Sequence, residues 1–369
     1  MVETVSSPDL YEITAEDIEH LAVGAWVLGT GGGGSPYLGL LNLRQLYAQG
    51  HRVTLMSPLA LGDDDHVAVV SNMGAPLVGQ ERLADSRNIA RAVEMQQEIN
   101  GFTFKAVMSV EIGGGNGMQA LMAAAHLGIP VVDADCMGRA FPEAQMTSVA
   151  IGGLKPYPCT LYDPRGIEAV VTKVPTWKWM ERASRKICVE MGSIASTCKA
   201  PRTGREVKDW GIHFTTTAAI RIGATMAEAN RRHEDPIDAL IATEGGKLLF
   251  KGKVVDVERR TTEGFLRGRT VIEGIDADRG TRVEIAFQNE WIIAWKDGEV
   301  IATTPELICL LDSVTGHGLG TETIRYGQRI SVVAMKAPAV LTTPAGLAHV
   351  GPRAFGYDLD FTSVFDAAA

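Results

Sequence analysis

The fold of this chain can be predicted outward from residues 104–133, which read FKAVMSVEIGGGNGMQALMAAAHLGIPVVD. The apolar run at residues 104–110 is typical of a buried strand, and residues 118–127 form a helical pattern that Gly128 ends. Residues 129–132 are again apolar and extended. A strand, a loop, a helix and a second strand in this order predict a parallel pair joined by a right-handed crossover.

The sequence on either side extends this pattern up to about residue 155. Helical patterns cover residues 15–28, 37–49 and 82–100. After residue 155, turn signals such as Asp297-Gly298 join several strand patterns. We therefore predict an α/β protein with an N-terminal parallel-sheet α/β domain at residues 1–155 and a second, mixed and β-rich domain at residues 156–369.

Composition excludes several classes of protein. Hydrophobic residues are 46% and charged residues 21% of the chain, so it can build a sizeable core instead of remaining disordered. The net charge of −9 argues against nucleic acid or an anionic membrane as the main partner. The acidic first residues lack the pattern of a signal peptide, and the five cysteines form no CxxC pair. These features predict a cytoplasmic, reduced protein.

Two glycine runs, at residues 29–34 and 113–117, hold much of the glycine excess. Neither is a dinucleotide fingerprint or a P-loop, because a helical pattern precedes the first and no Gly-Lys-Ser/Thr ends the second. Backbone N–H groups in such runs suit an anionic group or a developing oxyanion, whereas the structural alternative is a tight crossover. We predict that substrate is bound by Gly31, Gly32, Gly33, Gly34, Gly114, Gly115 and Asn116, and by Asn72 in a predicted loop at residues 72–76.

Carboxylates follow two of the predicted strands. Glu111 ends the first strand, and Asp133 and Asp135 follow the second, at the sheet edge where α/β proteins bind ligands. Acids two residues apart in an extended segment point the same way, so this pair could ligate a divalent metal or supply a general base of raised pKa. The alternative is a capped turn with an ion pair to Arg139, which we also predict to bind substrate. Asp133, Asp135 and Glu111 are the predicted catalytic carboxylates.

Two further residues are candidates for a chemical role. Cys136 is a candidate nucleophile, although a buried and inert cysteine is the commoner case. His349 would donate a proton to a leaving group if the C-terminal segment folds back over the cleft. The alternative for His349 is a surface or core histidine. No organic cofactor is predicted, and a divalent metal is left open.

Four segments together resemble the S-methyl-thiohydantoin desulfurase family. They are GTGGGGSPY (29–37), EIGGGN (111–116), VDADCMGRAFPE (132–143) and GPRAFGYD (351–358). The resemblance covers about residues 15–360 and implies an α/β domain followed by a more β-rich one. It implies hydrolysis at the C2 carbon of a thiolated hydantoin ring, with release of a thiol or sulfide. It also implies hydantoinase/oxoprolinase-type enzymes as functional neighbours.

The residues and the resemblance together predict a hydrolase that replaces sulfur by oxygen in a thiohydantoin-type ring. We expect a small cyclic substrate, a homo-oligomer, and neither nucleic acid nor membrane as a partner. One alternative is a nucleotide- or phosphate-binding partner subunit of a hydantoinase/oxoprolinase-type enzyme, with phosphate at the glycine runs. Another is a non-catalytic binding subunit, which would carry no carboxyl group of perturbed pKa.

Overall fold

The computed structural model describes residues 9–74, 78, 81, 85–262 and 264–366. Its centre is the unit predicted from the sequence, with a strand at Ala106–Ser109, a helix at Gln119–Leu127 and a strand at Val131–Val132. Val107 and Val131 pair in parallel. Gly128 ends the helix with φ of 67°, a conformation that glycine adopts without a steric penalty.

This unit belongs to a mixed sheet. Its strands are β1 Leu10–Ile13, β2 Val53–Met56, β3 His66–Gly74, β4 Ala106–Ser109, β5 Val131–Val132, β7 Cys159–Asp163, β8 Ile167–Val171, β9 Ile194–Cys198 and β10 Arg202–Thr203. They lie in the order β1-β2-β5-β4-β3-β9-β7-β8, and β10 pairs with β3. Strands β2, β5, β4 and β3 run parallel, and the other pairings are antiparallel. A small ladder joins β6 Ala134–Asp135 to β11 Ile212–His213.

Helices cover the mixed sheet and connect it to the rest of the chain. They are α1 Ala15–Leu28, α2 Tyr37–Ala48, α3 Arg87–Asn100, α4 Gln119–Leu127, α5 Ser148–Ile151, α6 Trp177–Glu190, α7 Gly204–Trp210, α8 Thr215–Arg231, α9 Pro236–Glu244, α10 Ala339–Thr342 and α11 Pro344–Val350. Helix α1 begins at a capping box in which Thr14 and Asp17 bind each other's backbone N–H groups. No helix in the described part of the chain is long and apolar enough to cross a membrane.

The second sheet is antiparallel throughout. Its strands are β12 Lys247–Thr262, β13 Phe265–Gly274, β14 Arg282–Gln288, β15 Glu290–Lys296, β16 Glu299–Thr303, β17 Leu307–Asp312 and β18 Arg329–Met335. They lie in the order β16-β15-β14-β13-β12-β18-β17. Most neighbours in this sheet are neighbours in sequence, which is the pattern that hairpin signals predict.

Strand β17 joins the two sheets into one molecule. Leu307, Cys309 and Leu311 belong to the core beneath α1, whereas Ile308 and Leu310 belong to the core of the antiparallel sheet. Because side chains alternate between the faces of a strand, β17 contributes to both cores. The second sheet is therefore held firmly against the helices of the first, and side chains from both can meet in one cavity.

The predicted fold class is confirmed, with two differences in detail. Residues 72–74, predicted as part of a loop, continue strand β3, where Asn72 pairs with Ser196 of β9. Residues 75 and 76 of that predicted loop lie outside the described residues. The N-terminal sheet is also mixed and not purely parallel, because β7, β8, β9 and β10 join it antiparallel from beyond residue 155. The domain division at residues 155/156 stays a prediction.

Candidate functional site

A cavity of about 500 Å³ lies beside the carboxyl ends of the parallel strands β3 and β4. This volume is typical of a site for a small molecule, and the edge is where α/β sheets bind ligands. Walls of the cavity come from both glycine runs, from β9 and from the turn that carries Asn289 and Glu290 on the second sheet. The predicted site residues that line it are Gly33, Gly34, Asn72, Glu111, Gly115 and Asn116.

The two glycine runs pack backbone against backbone. The N–H of Gly115 donates to the carbonyl of Gly34 at 2.7 Å. A Cβ on Gly33 would lie 2.3 Å from the carbonyl oxygen of Gly113, and one on Gly114 would lie 2.6 Å from that of Gly32. The two glycine runs therefore meet, and they meet in a close crossover that leaves no room for side chains at these positions.

Three of the predicted glycines lie behind the cavity wall. Gly114 is enclosed by the first glycine run, and Gly31 lies against the indole ring of Trp291. A Cβ on Gly32 would lie 2.0 Å from Oε1 of Glu290. The first run is fixed to the second sheet by a 2.8 Å hydrogen bond from the backbone N–H of Trp291 to the backbone carbonyl of Thr30. These glycines therefore allow the second sheet to approach the cavity.

Glu111 is the predicted catalytic carboxylate that the structure places in the cavity. Its Oε1 accepts a 2.5 Å hydrogen bond from Nδ2 of Asn116, and its Oε2 accepts one of 3.0 Å from the Phe141 N–H. Asn116 Oδ1 in turn accepts from the Asn72 N–H at 2.8 Å. Asn72 Oδ1 accepts from the Ser196 hydroxyl at 3.0 Å. A continuous polar network thus connects the second glycine run with β3 and β9.

The environment of Glu111 gives its carboxyl group the properties of a base. Burial raises the pKa of Glu111 to about 7, because the charged form loses its hydration. The hydrogen bonds from Asn116 and Phe141 and the nearby charges of Lys199 and Arg139 oppose this shift. A carboxyl group with a pKa near neutrality is suited to accept a proton during turnover at neutral pH.

The raised pKa of Glu111 predicts a pH dependence of stability. The folded state keeps the proton up to about pH 7, whereas the unfolded chain releases it near pH 4.5, so the stabilisation is lost as the pH rises between these values. The full effect is about 3 kcal/mol. Glu111→Gln should remove this dependence. The free energy of unfolding of the variant minus that of wild type, both measured in urea, should therefore be larger at pH 7.5 than at pH 5. An equal difference at both pH values would contradict the prediction.

Lys199 was not predicted from the sequence, yet it lines the cavity. The residue is buried at the end of β9, with a 7% exposed fraction. Its ammonium group makes no hydrogen bond or ion pair with any residue that the structure describes, and its charge acts on Glu111. A buried, unpaired ammonium group in a cavity favours a substrate or transition state that carries or develops negative charge.

Glu290 and Glu181 are further buried acids of the cavity wall that the sequence analysis missed. Glu181 is paired with Arg185 and accepts a 3.0 Å hydrogen bond from the Ala144 N–H. Glu290 is 2% exposed, and its Oε2 has no hydrogen-bond partner. The one signal in the sequence is that Gln288, Asn289 and Glu290 interrupt an otherwise apolar hairpin pattern.

Asp133 and Asp135 do not line the cavity. Asp133 binds the start of helix α8, where it accepts from the N–H groups of Thr216 and Thr217 at 2.9 and 3.1 Å and from the Thr217 hydroxyl at 2.5 Å. Burial raises its pKa. A carboxylate at a helix N-terminus satisfies unpaired donors and interacts favourably with the helix dipole. Capping was one part of the alternative that the sequence analysis left open. The other part, an ion pair to Arg139, is not found among the described residues.

Asp135 holds two loops together behind the cavity. It accepts a 2.7 Å hydrogen bond from the Ile112 N–H, and the Gly138 N–H donates to its Oδ2 at 2.8 Å. Burial raises the pKa of Asp135 to about 8. Its carboxyl group therefore fixes the second glycine run to the turn after β6. We predicted that Asp133 and Asp135 would both face the cavity, and in the structure neither of them lines it.

Arg139 lies between the two sheets and not in the cavity. It is 1% exposed, and its guanidinium donates to the Thr30 hydroxyl at 2.7 Å and to the carbonyls of Pro305 and Glu306 at 3.0 and 2.9 Å. The guanidinium also lies 4.4 Å from the ring centroid of Phe141, which does line the cavity. Arg139 therefore positions cavity residues, and its predicted contact with substrate has no support in this geometry.

Cys136 and His349 also lie away from the cavity lining. Cys136 is fully buried, and burial raises the pKa of its thiol to about 12, so the group stays protonated. His349 is half-buried, and its Nδ1 lies 2.7 Å from the Gln145 carbonyl oxygen. The C-terminal segment does not bring this histidine over the cavity.

The described residues offer no cluster of three or more His, Cys, Asp or Glu side chains that could hold a metal ion. Glu111 and Glu290 are two acids of the cavity wall for which the described residues supply no Arg or Lys ion pair. The sequence analysis left a divalent metal open. The described residues show no set of ligands for it, so it stays an expectation.

The fold and the cavity define a two-sheet α/β protein with a cavity whose walls carry several acidic side chains. A model described as S-Me-THD-like, N-terminal domain, matches residues 16–173, and one described as S-Me-THD-like, C-terminal domain, matches residues 175–364. The chain therefore belongs to the S-Me-THD-like family, that of the S-methyl-thiohydantoin desulfurases, as the resemblance predicted. The family name suggests an enzyme with a thiohydantoin-related function.

A solved structure has the same fold. The crystal structure of a protein from Chromobacterium violaceum matches with a TM-score of 0.81 and 22% sequence identity, over 96% of this chain and 100% of that chain. At this identity the likeness shows the fold alone. Among curated proteins, none matches this chain.

Proposed function

We propose that this protein is a hydrolase that replaces sulfur by oxygen at C2 of a thiohydantoin-type ring. The observation that carries the proposal is Glu111, a buried carboxyl group of raised pKa in the wall of the cavity. The C2 carbon lies between two ring nitrogens, which makes it electrophilic, and its sulfur substituent can leave. Water is a poor nucleophile at neutral pH and needs a base of this kind.

The proposed reaction begins when the oxygen of a water molecule forms a bond to C2 and Glu111 takes a proton from that water molecule. The C2–N double bond opens and the ring nitrogen gains negative charge. When the double bond forms again, the C2–S bond breaks and the sulfur takes up one proton, so that it leaves as a thiol. Glu111 gives up the proton that it took from water, so the protons balance over the cycle. The remaining hydroxyl group on C2 and the ring nitrogen rearrange into the carbonyl and N–H of a hydantoin.

The cavity wall supplies two further features that support this reaction. The Lys199 ammonium group is available to stabilise negative charge as the tetrahedral intermediate forms, because no described residue neutralises it. The hydrogen bonds of Asn116 and the Phe141 N–H hold Glu111 in a fixed orientation. A base that is held in place loses less conformational entropy in the transition state.

The phosphate-binding alternative has less support from this cavity. Glu111, Glu143, Glu181 and Glu290 all line it, against the basic side chains of Lys199 and Arg185. Arg185 is already paired with Glu181. Several carboxyl groups beside a phosphate would repel its charge. A neutral ring that gains charge only during the reaction fits these walls better.

The test of the proposal is thiol release from S-methyl-2-thiohydantoin by the purified full chain. Methanethiol would be followed with a thiol reagent, and the ring product by mass spectrometry in water enriched in oxygen-18. We expect equal amounts of methanethiol and hydantoin, with one heavy oxygen in the ring carbonyl. Absence of both products, together with binding of nucleotide or inorganic phosphate, would favour the partner-subunit alternative.

Cys136→Ser should keep substantial turnover of the same ring. The thiol is buried, protonated and outside the cavity lining, so it cannot attack C2 without a rearrangement of the loop. The kcat of the variant should lie within a few-fold of wild type. An inactive Cys136→Ser variant, together with a ring adduct trapped on Cys136 in the wild type, would show that the cysteine is the nucleophile.

The wider setting of the reaction is part of the same proposal. Its product is a hydantoin, which is the kind of ring that a hydantoinase-type enzyme opens, so we propose that the two act in succession. A cytoplasmic location and a homo-oligomer remain expectations. Light scattering of the purified chain would measure its mass against the 39.5 kDa of one copy.

A further inference from the structure

We propose that Glu290, on the second sheet, is the catalytic acid that gives a proton to the departing sulfur. This role rests on the proposed hydrolysis and adds a second catalytic carboxyl group to it. Glu111 and Glu290 would then form an acid–base pair with one member on each sheet. The four segments that carry the family resemblance do not include Glu290.

The backbone on both sides of Glu290 is held firmly. Asn289 has a φ of 60°, and its Oδ1 accepts a 2.8 Å hydrogen bond from the Leu266 N–H. The Asn289 carbonyl accepts from the Thr321 hydroxyl at 2.6 Å. On the other side, the Trp291 N–H donates to the Thr30 carbonyl at 2.8 Å. The carboxyl group is thus carried by a fixed turn at the cavity wall, as a catalytic group must be.

The carboxyl group of Glu290 is buried without an ion pair to any residue that the structure describes. Its Oε2 has no hydrogen-bond partner among these residues, and Glu290 is 2% exposed. Burial, together with the charges of Glu111 and Glu322, raises its pKa well above the ordinary value, while Arg139 opposes this shift. A buried carboxyl group without a direct ion pair among the described residues favours its protonated form, and a protonated form is what a proton donor requires.

The proton balance of the reaction needs two groups of this kind. Glu111 gains one proton from water when the C2–O bond forms. Glu290 loses one proton to sulfur when the C2–S bond breaks, so the thiol leaves neutral. Afterwards Glu111 is protonated and Glu290 is charged, and transfer of one proton between them, directly or through water, restores the starting state.

Gly32 gives a way to displace this carboxyl group without removing it. The atoms nearest to a Cβ on Gly32 all belong to the Glu290 side chain, at 2.0, 2.5 and 2.6 Å. Gly32 does not adopt a positive φ, so alanine is tolerated by the backbone there. Gly32→Ala should therefore push the Glu290 carboxyl group away from its place.

The experiment compares two leaving groups in the full chain. S-Methyl-2-thiohydantoin releases a basic thiolate that needs a proton, whereas the S-(4-nitrophenyl) analogue releases a thiolate that is stable without one. The variants are Glu290→Gln, Gly32→Ala and Glu111→Gln. Glu306→Gln is the matched control, because Glu306 is a buried acid whose side chain accepts from Ser363 and Val364 and does not line the cavity. Circular dichroism and thermal unfolding would establish that each variant folds.

We expect Glu290→Gln to lower kcat for the S-methyl ring by about 10²-fold or more, and for the nitrophenyl ring by less than about 10-fold. Gly32→Ala should show the same dependence on the leaving group. Glu111→Gln should lower kcat for both rings, and Glu306→Gln for neither. Equal losses for both rings in Glu290→Gln, or no loss, would overturn the role of Glu290. An inactive wild-type chain would overturn the proposed function and this role with it.

Discussion

Glu111→Gln is expected to lower kcat for S-methyl-2-thiohydantoin by about 10²- to 10⁴-fold, the usual contribution of a general base. Glutamine has nearly the same shape but cannot accept a proton from water. The variant must also rearrange its contacts, because an amide cannot accept from both Asn116 and the Phe141 N–H as the carboxylate does. Steady-state kinetics of thiol release at pH 7.5 would measure the effect.

Asp133→Asn is the informative comparison for Glu111→Gln. Asp133 is a buried carboxyl group in the same half of the molecule, but it binds the start of helix α8 and does not line the cavity. We expect its substitution to lower the free energy of unfolding while kcat stays within a few-fold of wild type. A loss of kcat as large as that of Glu111→Gln would mean that Asp133 takes part in the chemistry, as the sequence alone predicted.

Arg139→Leu is expected to lower the free energy of unfolding by about 3–5 kcal/mol, the usual effect of removing one partner from a buried charged network. The substitution leaves the Thr30 hydroxyl and the carbonyls of Pro305 and Glu306 without this buried donor. Urea unfolding followed by tryptophan fluorescence would measure the loss.

Arg139→Lys is the control that separates charge from geometry. Lysine keeps the positive charge near Glu111 and Glu290. One ammonium group cannot reproduce the planar fork that reaches Thr30 after helix α1 and the turn between β16 and β17. An intermediate loss of stability is therefore expected. If Arg139→Leu were less stable than wild type by under about 1 kcal/mol, the arginine would not be holding the two sheets together.

Local sequence determined the central strands and the positions of the glycine runs. The pattern of residues 104–133 is short-range, so hydrophobic spacing and Gly128 were enough to define Ala106–Ser109, Gln119–Leu127 and Val131–Val132. The same reasoning placed Glu111 at a strand end, where the structure finds it. The sequence motifs also identified the family, which the matches over residues 16–173 and 175–364 confirm.

Tertiary structure alone decided which acids face the cavity. Asp133 and Asp135 follow a central strand, just as Glu111 does. The start of helix α8, near residue 215, binds Asp133. The N–H groups of Ile112 and Gly138 bind Asp135. Spacing along the chain gives no information about partners that lie some 80 residues away.

Lys199 and Glu290 reach the cavity for the same reason. They come from the end of β9 and from the antiparallel sheet. They approach Glu111 because β9 pairs with β3 and because Gly31 and Gly32 have no side chains to keep Trp291 and Glu290 away. The sequence by itself determined the local elements, the close-packed glycine backbone and one acid of the site. The long-range packing of two sheets decided the rest, because burial and charge at a site depend on all the neighbours that folding brings there.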